Sequence, residues 1–145
     1  MKRLLSVALC ILLCGLLTAC GETAPVVTAT EVTARIADSA DGVRRVPTEA
    51  TDYAVDVLFE ADGTLTDLCL LRLQLSTYDH AIYKATESIP LGTVTVDEPV
   101  VAALDFPGDM SAWGFSFTDV NGVVQYRTLY ISGEDGSLVT AEGIL

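Results

Sequence analysis

WGFSFTDVNGVVQYRTLYI, residues 113–131, is the stretch that decides the fold. Trp113, Phe115 and Phe117 recur at every second position, the period of a strand, which lays alternate side chains on one face. Three large rings in a row normally point into a core. Asp119-Val120-Asn121-Gly122 follows, and Asn-Gly suits hairpin turns that need positive φ. Val123 to Ile131 is then rich in β-branched and aromatic residues, which fit a pleated, half-buried surface. Strand, turn and strand in succession predict an antiparallel hairpin turning at Asn121-Gly122.

The same period extends outward. Val32, Ala34 and Ile36 alternate with Glu31, Thr33 and Arg35. Tyr53, Val55, Val57 and Phe59 alternate with Ala54, Asp56, Leu58 and Glu60. Leu71, Leu73 and Leu75 continue one face of a strand begun near Thr64, and Val100, Ala102, Leu104 and Phe106 share another. Leu138 to Ile144 reads as a last strand. Asp41-Gly42, Asp62-Gly63 and Asp135-Gly136 are further turn dipeptides, with Asp62-Gly63 the second hairpin candidate. The stretch Ser76 to Ser88 stays open: Ser76-x-x-Asp79 can start a short helix, and Ala81 to Thr86 can be a strand. Closely spaced strands without a long helical period predict an all-β chain, an antiparallel β-sandwich (Ig-like or similar) or a barrel, over residues 31–145.

The N-terminus carries an address. Met1-Lys2-Arg3 is a short cationic segment, and the 14 residues from Leu4 to Leu17 bear no charge. Signal-peptide cores run about 7–15 residues, whereas a membrane span needs about 20. The run ends Leu17-Thr18-Ala19-Cys20, with small residues where a signal peptidase admits only small side chains. These residues resemble the lipobox of bacterial lipoproteins, a resemblance that covers residues 1–20. It implies a diacylglycerol thioether on Cys20, cleavage before Cys20, and acylation, for example by palmitate, of the new amino group. Residues 1–19 are then a cleaved signal peptide and 20–30 a lipidated cysteine and tether. The expected location is the extracytoplasmic face of a cell membrane, in the cell envelope. The C-terminal third, from Phe117-Thr118-Asp119 through Asn121-Gly122 to Ser132-Gly133-Glu134-Asp135-Gly136-Ser137-Leu138, resembles the tail of small uncharacterised lipoproteins from Firmicutes. That likeness implies no activity.

Charge narrows the partners. The whole chain has a net charge of −12, and all twenty acidic residues follow Cys20. Without Lys2 and Arg3, six basic residues face those twenty, a net charge of −14. Such a chain lacks the basic patch that phosphate binding needs, which argues against nucleic acid. It also lacks a polybasic contact for anionic headgroups, so the protein is expected to stand off a negative membrane surface and hang from its acyl chains. Cys10 and Cys14 leave with the signal and Cys20 is lipidated. Cys69 is then alone, precluding an internal disulfide, and its leucine-rich surroundings predict a buried thiol.

Little in the sequence marks a reaction centre. His80 is the only histidine and lies in the polar stretch Tyr78-Asp79-His80, where a solvated loop side chain is expected. One His and one Cys do not make a structural zinc site. Glu60, Asp62, Asp97 and Glu98 lie at strand ends or turns. A carboxylate-dependent hydrolase would need two of them facing across a cleft, one with a raised pKa. Asp119-x-Asn121-Gly122 fails as an EF-hand, because the twelfth position is Tyr130 rather than a bidentate Glu. A looser calcium site from Asp105, Asp109, Asp119 or Asp135 is the weak metal candidate. Trp113, Tyr126 and Tyr130 lie on neighbouring predicted strands and form the candidate aromatic platform for a glycan or partner. The expectation is a non-catalytic binding or structural β-domain with no cofactor, serving an envelope protein or glycan. A carbohydrate- or peptidoglycan-binding module is the alternative and a hydrolase the third reading.

Overall fold

A computed structural model describes residues 27–77, 82–107 and 113–142. The described residues form nine strands and no helix: β1 (Val32–Ile36), β2 (Arg44–Val46), β3 (Val55–Ala61), β4 (Leu65–Thr77), β5 (Ile82–Val94), β6 (Val100–Leu104), β7 (Trp113–Thr118), β8 (Val124–Ile131) and β9 (Leu138–Glu142). They build a four-stranded sheet ordered β1-β3-β6-β2 and a five-stranded sheet ordered β5-β4-β7-β8-β9. The expected all-β sandwich is the observed fold. One pair departs from pure antiparallel pairing: β2 runs parallel to β6, Arg44 opposite Val100.

The decisive stretch folds as expected. β7 and β8 pair antiparallel from Trp113↔Leu129 to Thr118↔Val124. The turn closes with the Gly122 amide donating to the Asp119 carbonyl at 2.9 Å and the Asp119 amide to the Val123 carbonyl at 2.9 Å. Gly122 has φ 77°, a left-handed conformation that only glycine adopts without a Cβ penalty. Trp113, Phe115 and Phe117 are at most 1% exposed and face the opposite sheet. Phe115 meets Phe59 edge-on at 5.6 Å and stacks against Phe117 at 6.2 Å. Val57, Leu65, Leu68, Leu70, Leu91, Val100, Leu104 and Leu129 complete a core between the sheets. Ring pairs of this kind add about 0.5–1.5 kcal/mol beyond the area they bury.

β4 has apolar side chains on both faces. Leu68 and Leu70 enter the core, while the alternate row Cys69, Leu71 and Leu73 lies on the outer face. Leu71 and Leu73 are nevertheless only 5% and 7% exposed, but Cys69 is half-buried rather than buried as expected. Gly114 lies opposite Leu71 and leaves room for Leu73: a Cβ there would stand 3.0 Å from Leu73 Cδ1. On the other sheet, Leu58 and Val101 are buried outside the core, in a cross-strand row flanked by Arg35 and Arg45.

Several expectations need correction. Tyr53 precedes β3 and is 92% exposed, so it does not share the buried face of Val57 and Phe59. Phe106 lies beyond the end of β6, although it packs against the core with Val100, Ala102 and Leu104 as expected. Gly63 lacks positive φ; it is required because a Cβ would come within 2.7 Å of the Thr28 backbone. Of the open stretch Ser76 to Ser88, the described residues are strand, the end of β4 and the start of β5. His80 and Asp79 lie outside the described residues, as do Cys20, Asp109 and Ile144.

Candidate functional site

The sandwich has two unlike ends. At one end lie the β3–β4, β5–β6 and β7–β8 turns, since Leu65 pairs with Val94 and Thr118 with Val124. The chain joins the domain at this end. The Thr28 amide donates to the Thr64 carbonyl at 2.9 Å, and the Val120 amide to the Ala29 carbonyl at 2.9 Å. Asp62 fastens the next residues: its carboxylate accepts from the Thr30 amide at 2.8 Å, the Glu31 amide at 3.0 Å and the Thr30 hydroxyl. Ala29 is fully buried in this junction. The hydroxyl and amide donors hold the Asp62 carboxyl below its ordinary value.

Three of the calcium candidates, Asp105, Asp119 and Asp135, are bonded to nearby turn or loop donors. Asp119 turns inward, 8% exposed. Its Oδ1 accepts from the Asn121 amide at 2.8 Å and the Val123 amide at 3.0 Å, and its Oδ2 from Gln125 Nε2 at 3.0 Å. The amide of Val123 and the amide group of Gln125 lead in lowering its pKa. Asp105, at the opposite end, accepts from the Thr51 amide at 2.9 Å and the Thr51 hydroxyl at 2.6 Å. Asp135 caps the β8–β9 turn through the Ser137 amide at 3.1 Å and hydroxyl at 2.8 Å. Asp105 and Asp119 flank opposite ends of β7 and do not meet, while Asp109 lies outside the described residues. Among the described residues no three His, Cys, Asp or Glu side chains converge.

The carboxylates considered for hydrolysis are likewise dispersed. Glu60 pairs with Arg35 at 2.8 Å across the outer face. Asp62 holds the junction. Asp97 and Glu98 rim a concavity of about 450 Å³ shared with Asp41, Val43 and Arg44. Asp56, Asp62, Asp105, Asp119 and Asp135 are all held below the usual carboxylate value, Asp56 chiefly by its hydrogen bonds to Arg45. A general acid needs the opposite shift.

The aromatic platform separates into two faces. Trp113 is buried and its Nε1 donates to the Asp105 carbonyl at 2.9 Å. The Arg72 guanidinium stands 4.4 Å over its ring. Tyr126 and Tyr130 alternate with Leu129 and so share the outer face of β8, Tyr126 with 39% exposure. Trp113 therefore cannot join them on one surface.

Two features escaped sequence reasoning. Arg44 reaches across to the edge of β5 and donates to the Leu91 carbonyl at 2.8 Å and the Thr93 carbonyl at 2.6 Å. Tyr53 stands fully exposed beside a concavity of about 310 Å³ lined by Thr51, Asp105, Phe106 and Pro107. Neither carries a local signal, because each depends on a partner about fifty residues away in the chain. No protein-family model, curated protein or solved structure matches the chain.

Proposed function

We propose that this is a lipid-anchored extracytoplasmic protein whose β-sandwich binds an envelope partner or acts structurally, without catalysis. The observation that carries the reading is the coincidence of Lys2-Arg3, the uncharged run Leu4–Leu17 and Leu17-Thr18-Ala19-Cys20. Only six residues then separate Cys20 from Val27, the first residue described. The dispersal of the carboxylates, with Glu60 in an ion pair and Asp62, Asp105, Asp119 and Asp135 bonded to nearby turn or loop donors, supports a non-catalytic role. Cys20→Ala tests the anchor: the variant should stay uncleaved and carry no lipid, whereas the wild type should yield an N-terminal peptide with a diacylglycerol mass. A mature, unlipidated start elsewhere in the wild type would refute the reading.

A second reading is a carbohydrate- or peptidoglycan-binding module, favoured by Tyr126 and Tyr130 sharing an outer face. Co-sedimentation with purified peptidoglycan, lost in Tyr126→Ala, is its expected signature. Equal sedimentation of wild type and variant would remove it.

A further inference from the structure

The geometry points to the β7–β8 hairpin tip, Val120 to Val124, as a membrane-contacting surface that rests on the lipid to which the chain is anchored. The inference rests on the lipid-anchor reading of Cys20. It begins from an uneven distribution. Among the described residues six large hydrophobic side chains are exposed, and four of them, Val96, Val120, Val123 and Val124, lie at the end where the chain joins the domain. Val120, Val123 and Val124 are 48%, 53% and 50% exposed and sit on one turn. The sequence of that turn, Val120-Asn121-Gly122-Val123-Val124, contains no charge.

The tether and the tip are physically joined, through the hydrogen bond from the Val120 amide to the Ala29 carbonyl. The seven Cα–Cα steps from Cys20 to Val27 span at most about 25 Å even when fully extended, so a lipid on Cys20 keeps this end close to the bilayer. The carboxylates beside the tip are each engaged by hydrogen bonds from nearby donors, and Asp119 is 8% exposed. Asp119 is bonded to Asn121, Val123 and Gln125, Asp62 to Thr30 and Glu31, and Asp67 to the Thr118 amide. Val96 differs, because Asp97 and Glu98 follow it directly and keep that turn in water. Tyr126 lies two residues behind Val124 on the same outer face. A tyrosine set back from an apolar tip is placed where amphipathic rings favour the headgroup layer. The contact is therefore shallow, made by three valines and one tyrosine. It leaves the opposite end, with Tyr53 and Phe106, facing away from the membrane.

The test uses the full-length lipidated protein in vesicles of phosphatidylethanolamine and phosphatidylglycerol with brominated acyl chains. An environment-sensitive fluorophore is placed at V123C or at Y53C, each in a Cys69→Ser background, with Cys69→Ala as the second background if circular dichroism shows a loss of fold. The expected result is a blue-shifted V123C probe, quenched several-fold more strongly than the Y53C probe. Lipidated, vesicle-bound protein with equal quenching at both sites, or stronger quenching at Y53C, would overturn this inference and leave the anchor intact. Absence of lipid on Cys20 by mass spectrometry would overturn the anchor and the inference together.

Discussion

Gly114→Ala should destabilise the sandwich although it adds only a methyl group. Gly114 lies in the middle of the five-stranded sheet, between β4 and β8. A Cβ there would stand 2.5 Å from the Arg127 carbonyl oxygen and 3.0 Å from Leu73 Cδ1. The second contact is the tip of a flexible side chain and can yield. The first is backbone of the neighbouring strand and yields only if β7 and β8 move apart, stretching the ladder on which Phe115 and Phe117 are mounted. Overpacking of this sort costs about 1–3 kcal/mol. For a domain of this size that is a fall of about 3–5 °C in Tm per kcal/mol, interpolating between smaller and larger domains. The assay is urea unfolding followed by tryptophan fluorescence, since Trp113 precedes the altered position. The partner variant Gly114→Ala/Leu73→Ala separates the two contacts: because the backbone contact dominates, trimming Leu73 should give no rescue and should add its own cost. Gly133→Ala, with nothing within 4 Å of the added carbon, is the matched control and should be nearly neutral. A Gly114→Ala midpoint within error of wild type, or full rescue by the double variant, would refute the reasoning.

Acid should unfold the protein through its turn carboxylates. Asp62, Asp105, Asp119 and Asp135 have lowered pKa values in the fold, so their stabilisation is complete above the unfolded carboxylate value of about 3.9 and is lost as pH falls through the lower folded values. Thermal melts should hold steady near neutrality and fall steeply below about pH 4. Asp119→Asn should lower Tm at neutral pH and weaken this acid dependence, and an unchanged acid limb would count against the assignment. Leu70→Ala, which opens a cavity in the core, should cost about 2–5 kcal/mol. Leu71→Ala, on the outer face where solvent can fill the gap, should fall at the lower end of that range or below; equal losses in urea titrations would show that the outer row is as enclosed as the core. Cys69 should react with a thiol reagent more slowly than in the unfolded chain but measurably in the native one. Complete protection would place it in the core after all.

Most of the strand pattern was legible because most strands obey a single rule. β1, β3 and β7 carry a row of buried apolar side chains at every second position, which the sequence shows directly, while β6 is apolar throughout. β2 was not legible. It is three residues long, only Val46 is buried, and Arg44 and Arg45 read as solvated charges. Its position is fixed at a distance, by Arg45 on Asp56 and Arg44 on the β5 carbonyls. β5 is an edge strand whose residues 84–88 are all exposed, so it offers few buried side chains to mark a face. For Cys69 the sequence placed the residue on the correct row but could not weigh the two faces. Leucines occupy both, and parity alone does not say which meets the second sheet. The platform of Trp113, Tyr126 and Tyr130 failed for the same reason: adjacent strands were evident, but shared faces depend on register, and Trp113 pairs with Leu129.

The heavy negative charge and the placement of the arginines have a common explanation. Exposed ion pairs are worth about 0–1 kcal/mol each, so Arg35–Glu60 and Arg45–Asp56 are not what holds the fold. Their placement matters more. Arg35 and Arg45 flank Leu58 and Val101 on the outer face, where their alkyl stems are positioned to shield apolar surface while their heads meet carboxylates. Arg44 occupies an edge, and it caps two β5 carbonyls that would otherwise be available to another strand. Arg72 lies over Trp113, a contact worth about 0.5–1 kcal/mol at an exposed position. The arginines thus close weak points of a sandwich, and the carboxylates shape its turns. Surplus acidic charge then remains on the rest of the surface, where it favours solubility and repels anionic lipid. Under the proposed lipid anchor on Cys20, that repulsion makes the uncharged tip from Val120 to Val124 the part of this end best suited to approach the bilayer.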